Sequence, residues 1–253
     1  MLKKIINTCL LASLLPLVSF YKVSEPFKPL QLKSARVKAA YQKKWPDLKT
    51  LLTSKKIDPT NFDVYLRVFK QEDVLEIWVK NKKETHYTLL KSTPVCAKSG
   101  ILGPKRKQGD GQVPEGFYEI AAFNPYSSYH LSLKVGYPNK SDAIKADGNP
   151  GGDIMIHGFC VTIGCIPIEN DPIEELYVLC VEARNRNRPI CVDIYPYHFD
   201  KVKQQDLAKG FDKETLRFWD SLKKAYLYFE PHHCPPKISV DKHGDYLIEP
   251  SAT

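Results

Sequence analysis

Beyond its first twenty residues the chain has no apolar run long enough to cross a bilayer, which excludes a helical membrane span over the remaining length. It has no internal repeat, which excludes a solenoid array. Lysine and arginine outnumber acidic residues 37 to 29, giving a net charge of +8. They are scattered, however. Lys105-Arg106-Lys107 and Arg184, Arg186 and Arg188 form only short runs, without the interleaved aromatics of a single-strand-binding face. No nucleic-acid module is present, and no nucleic-acid partner is expected. There is neither a C-G-x-C-W stretch nor a distant His-Asn pair, which makes a papain-like protease the weaker option. His232, His233 and Cys234 cluster like metal ligands, but prolines crowd them and no fourth ligand stands at useful spacing, so no metal is expected.

What is present is enough for a globular core. Apolar residues make up 43% of 253 residues and charged residues 26%, which suits one mid-sized domain with extensions or two small domains. Lys3 and Lys4 precede a mostly apolar stretch from Ile5 to Phe20. Residues 1–23 therefore read as a secretory signal or an uncleaved N-terminal anchor, and the protein is expected in the periplasm or cell envelope. Six cysteines follow that segment, namely Cys96, Cys160, Cys165, Cys180, Cys191 and Cys234. An oxidising compartment favours disulfides among them, but one working thiol leaves five that cannot all pair.

The pattern along the chain predicts a β-rich α+β fold. Residues 24–60 read as a linker and a helical N-terminal segment, with one helix from Ser34 to Trp45 and a second opened by Pro46-Asp47. Two strands rich in β-branched and aromatic residues, 62–69 and 73–79, form a hairpin. A strand over 85–90 and a long Gly- and Pro-rich loop over 99–116 follow. Further strands are predicted at 116–123, 130–137, 153–157 and 189–195. Asp171-Pro172 reads as an N-cap and first helical position, and Ile173, Leu176, Tyr177, Cys180 and Ala183 recur at helical spacing, giving a helix to about Arg186. A helix over 213–229 and two short strands within 237–248 complete a C-terminal extension, 201–253. The central unit is 61–200.

The chemistry is concentrated in Asp153-Ile-Met-Ile-His157-Gly158-Phe-Cys160-Val-Thr162-Ile163-Gly164-Cys165-Ile-Pro167. A free thiol is mostly protonated at neutral pH, and a neighbouring imidazole can take its proton and leave an ion pair. Cys165 is thus the candidate nucleophile and His157 its base. Gly158 orients the ring through its carbonyl. The tight Gly-Cys bend offers the N–H groups of Ile163, Gly164 and Cys165 to a tetrahedral oxyanion, each such donor being worth about 3 kcal/mol. Thr162 supports that bend. Cys160 is a second nucleophile candidate, but no glycine precedes it, and it reads as a core thiol or a disulfide partner. Outside the motif, Lys105 is a candidate for a substrate carboxylate, with a solvated loop lysine as the alternative. His130 is a candidate cleft residue or a structural histidine. Glu115 is a general acid or a polar turn residue. Tyr118 and Tyr137 belong to core or rim.

The segment resembles the catalytic motif of the L,D-transpeptidases of YkuD type, in particular their YafK-like branch, in which a strand-borne I-H-G precedes an S/T-x-G-C turn. Here these are Ile156-His157-Gly158 and Thr162-Ile163-Gly164-Cys165. Leu102-Gly103-Pro104-Lys105, Val113-Pro114-Glu115-Gly116-Phe117-Tyr118, Tyr129-His130-Leu131-Ser132-Leu133 and Tyr137-Pro138-Asn139 extend the likeness, which covers about residues 60–250. The broad family has histidine where Ile163 stands and arginine or asparagine where Pro167 stands. The resemblance implies a β-sandwich or barrel catalytic domain acting without a cofactor. It also implies a substrate, the peptide stem of peptidoglycan, contacted by Lys105, His130 and Ile163. Cys165 would form a thioester with the stem and pass it to an amine acceptor, including a wall-attached protein. The alternatives are a hydrolase on the same scaffold (an L,D-carboxypeptidase or an amidase) and a non-catalytic wall-binding protein. A basic surface fits a wall that carries carboxylates.

Overall fold

The computed structural model describes residues 26–201 and 210–251, so the segment read as a signal or anchor, 1–23, lies outside the described residues. Among the described residues no helix is long and apolar enough to cross a membrane.

The framework is one mixed sheet of eight strands with helices packed on it. β1 (Phe62–Phe69) and β2 (Val74–Asn81) form the predicted hairpin, in register from Phe62↔Asn81 to Phe69↔Val74. β3 (Thr88–Pro94) extends the sheet beyond β2, starting three residues later than the pattern predicts. On the other side of β1 the chain inserts β8 (Cys191–Tyr195), parallel to β1 and antiparallel to β4 (Gly116–Asn124). β8 is covered on both faces, with Val192 and Ile194 in one core and Tyr195 in the other, so it reads as a mostly apolar run rather than as an alternation. Beyond β4 come β5 (Ser132–Val135), β6 (Met155–His157) and β7 (Ile166–Pro167), giving the order β3-β2-β1-β8-β4-β5-β6-β7.

Alternation along β1 assigns the two faces. Val64, Leu66 and Val68 join a core with α2 (Ala35–Ser54) and α4 (Asn170–Arg184). Tyr65 and Phe69 point to the other side, where α5 (Lys213–His232) covers them with Trp219, Leu222, Tyr226 and Phe229. A short hairpin of β9 (Lys237–Val240) and β10 (Tyr246–Glu249) closes the C-terminal end, and α3 (Lys140–Lys145) lies in the connection between β5 and β6.

Several boundaries differ from the sequence reading. Pro46 does not open a second helix; it lies inside α2. Proline in a helix interior costs about 3 kcal/mol. The buried stripe Val37, Ala40, Tyr41, Lys44, Leu48 and Leu52 runs through it, and burial along that stripe offsets the lost hydrogen bond. The stretch read as a linker contains a short helix, α1 (Phe27–Gln31), whose Phe27 ring meets Phe123 edge-on at 4.9 Å. The cap of α4 is Glu169, at φ 63°, not Asp171. Asp171 is drawn instead to α2, where Lys43 and Lys44 reach its carboxylate at 2.7 and 2.5 Å. The strand expected over 130–137 shortens to β5 because His130 adopts a left-handed backbone, φ 69°.

Candidate active site

β6 and β7 bring the motif together. They pair in parallel, Ile156 opposite Ile166 and His157 opposite Pro167, and β5 supports β6 from the other edge with Ser132 opposite His157. The seven residues between His157 and Cys165, 158–164, thus return Cys165 to the strand that carries the histidine. Cys165 Sγ lies 3.6 Å from the Asp153 carbonyl, and the Met155 N–H lies close enough to favour the thiolate.

The His157 imidazole is 2% exposed. Its Nδ1 is 2.5 Å from the Gly158 carbonyl oxygen. A carbonyl only accepts, so Nδ1 carries the hydrogen and Nε2 is left as the acceptor. Gly158 has no room for a side chain: a Cβ there would stand 2.5 Å from Asn170 Oδ1 and 3.0 Å from the Tyr129 carbonyl. Among the described residues no hydrogen bond joins Cys165 to His157. Such bonds are often long before substrate binds and tighten afterwards.

Burial sets the resting charges. It pushes the Cys165 thiol above its ordinary value, with the Met155 N–H working against that shift. It pulls His157 below its ordinary value, opposed by the bond to Gly158. At neutral pH the pair therefore rests as thiol and imidazole rather than as an ion pair.

Thr162 does more than support the bend. Its Oγ1 accepts from Gly164 N at 3.2 Å and Cys165 N at 2.8 Å, and donates to the Cys165 carbonyl at 2.8 Å. The Gly164 and Cys165 N–H groups read as oxyanion donors are thus held by this hydroxyl in the resting structure. Gly164 has φ 122°, and a Cβ there would stand 3.1 Å from the Gln112 carbonyl, so only glycine suits the bend.

Cys160 is bonded to Cys96, which removes it as a nucleophile. The two lie 64 residues apart, and no spacing rule could have paired them. Cys165, Cys180, Cys191 and Cys234 are free. Cys180 is buried on α4, and burial pushes Cys191 up to about 12, so neither is a ready nucleophile.

Two cavities meet at Cys165. One, of about 390 Å³, is walled mainly by apolar groups, among them Val68, Val95, Leu102 and Ile166. The other, of about 330 Å³, is lined by Lys105, Gly109, Gly111, Gly152, Asp153 and Ile163. Lys105 therefore reaches the site, but its Nζ is bonded to Asp110 Oδ1 at 2.5 Å and to the Lys107 carbonyl at 2.8 Å. Ile163 stands 90% exposed at the rim. His130 turns away, with its Nε2 2.8 Å from Glu174 of α4. Glu115 is fully buried and is no general acid. Its Oε1 accepts from Lys70 at 2.9 Å and Gly103 N at 2.7 Å, and its Oε2 accepts from Trp219 at 2.6 Å. Tyr118 and Tyr137 are core residues. Sequence reasoning missed Tyr129, whose ring lies 4.7 Å from the imidazole, and Arg36, which holds the turn carrying it.

A family model described as the YkuD L,D-transpeptidase catalytic domain matches residues 63–194. YafK of Escherichia coli K12, which carries the provisional name of an L,D-transpeptidase, is 37% identical over 188 residues, 73% of each chain. Among solved structures, the helical cell shape determining protein Pgp2 of Campylobacter jejuni aligns with a TM-score of 0.45 at 18% identity, over 72% of this chain and 73% of that one. L,D-transpeptidase 1 of Mycobacterium tuberculosis aligns with a TM-score of 0.26 at 12% identity, over 53% and 62%.

Proposed function

Because the chain belongs to the L,D-transpeptidase family of YkuD type, a family of cell-wall enzymes, we propose that it transfers a peptidoglycan stem peptide through a thioester on Cys165. The observation that carries this reading is the placement of Cys165 where two cavities meet, beside the strand whose His157 has its Nδ1–H fixed on Gly158 and its Nε2 free to accept. As the sulfur attacks the stem carbonyl, its proton passes to His157 Nε2 and an S–C bond forms. The tetrahedral oxyanion collapses, the C–N bond breaks, and the proton goes to the departing amine. An amine acceptor, such as another stem or a wall-attached protein, then attacks the thioester and regenerates the thiol. No cofactor enters any step.

Oxyanion stabilisation in this scheme requires Thr162 to share or release the Gly164 and Cys165 N–H groups once the carbonyl arrives. Lys105 lies in the same cavity as the thiol, and its contact with a stem carboxylate requires its Nζ to exchange part of its bond to Asp110. Ile163 contributes an apolar rim. The protein acts in the periplasm or envelope after export through its N-terminal segment. Its charge of +8 draws it to an anionic polymer.

The test is incubation of the full chain with muropeptides carrying tetrapeptide stems, with products read by mass spectrometry. A cross-linked dimer is the expected result. A shortened stem, with water as the acceptor, would make the protein a hydrolase on the same scaffold. An unchanged substrate would make it a wall-binding protein.

A further inference from the structure

We infer that helix α2, which lies outside the residues matched by the family model, sets the catalytic base from a distance: Arg36 fixes the 127–130 turn, and Tyr129 on that turn is the positioning residue for His157. The inference rests on the reading of His157 as the base. It adds to that reading a set of residues that makes α2 part of the working unit.

The contacts form a continuous path. Ser34, the N-cap of α2, donates its hydroxyl to the Pro125 carbonyl at 3.3 Å. Arg36, the second residue of the helix, donates Nη1 to the Ser127 carbonyl at 2.8 Å and to the His130 carbonyl. Guanidinium suits this task because its donors are fixed in a plane and its charge strengthens each bond. The turn is closed from inside by Tyr129 N donating to Ser127 Oγ at 3.1 Å. At its far end His130 is tied to Glu174 of α4. Tyr129 is therefore held on both flanks.

Tyr129 then acts on His157 twice. Its carbonyl accepts the Gly158 N–H at 3.0 Å, and the Gly158 carbonyl in turn holds His157 Nδ1 at 2.5 Å. Its ring lies against the imidazole with centroids 4.7 Å apart and planes 34° apart. The tyrosine is 46% exposed and the histidine 2%, so the tyrosine ring stands between imidazole and solvent on that side. A cover of this kind disfavours the imidazolium and keeps the base unprotonated near neutral pH. The titratable groups on the elements packed about the ring are the Tyr129 hydroxyl, His130 paired with Glu174, Asp153 on the approach to β6 and Cys165 on the approach to β7. Among the described residues none of these forms an ion pair with His157.

The experiment uses the full chain and four variants: Tyr129→Ala, Tyr129→Phe, Arg36→Ala and Arg36→Lys. The His157 titration is followed by long-range proton–nitrogen correlation spectra, together with kcat and KM on tetrapeptide stems. Tyr129→Ala should raise the His157 midpoint by about half a unit or more as solvent reaches the ring, and Tyr129→Phe should leave it in place. Arg36→Ala should move the midpoint the same way and lower kcat about tenfold with KM nearly unchanged, since loss of alignment costs rate more than binding. Arg36→Lys should recover part of both. A His157 midpoint that stays fixed in folded Tyr129→Ala, or an Arg36→Ala protein that loses thermal stability but keeps its kcat, would overturn the inference. If the wild type shows no turnover but the midpoints still move as stated, the cell-wall reading fails and the positioning role stands.

Discussion

In the proposed reaction Cys165 is the nucleophile and His157 its base, and the state in which they rest is open to direct measurement. Burial raises the thiol and lowers the imidazole, so the thiolate fraction at neutral pH is below that of a free cysteine. Alkylation of Cys165 by iodoacetamide should therefore keep accelerating through and beyond the ordinary thiol range. A plateau extending into acid would show an ion pair instead. Cys165→Ala should abolish product. Cys160→Ala should retain most activity, because its sulfur is already bonded to Cys96. Gly158→Ala must displace Asn170 or the Tyr129 carbonyl, and overpacking of this kind costs about 2 kcal/mol. A melting temperature several degrees lower, with activity lost, is the expected outcome. At this scale the nucleophile and base were legible as candidates, because glycine and cysteine at fixed spacing leave few alternatives. The double hold of Thr162 on Gly164 and Cys165 was not, since a hydroxyl's partners depend on how the bend closes.

Between elements, a buried carboxylate ties the long loop over 99–116 to the sheet and to α5. Glu115 joins Gly103 of that loop, Lys70 after β1 and Trp219 of α5. Lys70 is 7% exposed, and removing its partner strands a buried charge. Glu115→Ala should therefore cost about 3–5 kcal/mol in urea denaturation, against a much smaller loss for an exposed loop acid. The same loop supplies Leu102 to one cavity and Lys105 to the other, so the variant should also weaken substrate binding. Helix and strand identities were largely readable from periodicity. Their ends were not. Pro46 stops a helix in isolation but not one whose next two turns bury Leu48 and Leu52. Asp171 makes a good cap by composition, yet two lysines from α2 claim it.

For the molecule as a whole, two buried acids contribute to the pH dependence of stability with a sign opposite to that of the paired surface carboxylates. Burial pushes Asp142 and Asp193 up to about 6, above the unfolded value of about 3.9. Their contribution is therefore full below the unfolded value and is lost as pH rises through about 6. Thermal unfolding should show stability falling over that interval, and Asp193→Asn should flatten part of the fall. The sequence by itself determined the β-rich α+β class, most of the strands, and the His157 to Cys165 segment with the family it belongs to. Those features are written in local periodicity and in residue types that few other chemistries need. Only the tertiary structure decided which cysteines pair, where Glu115 is spent and that α2 holds the turn packed against His157. Each of those depends on contacts between residues far apart in the chain, and no local pattern encodes the distance that folding removes.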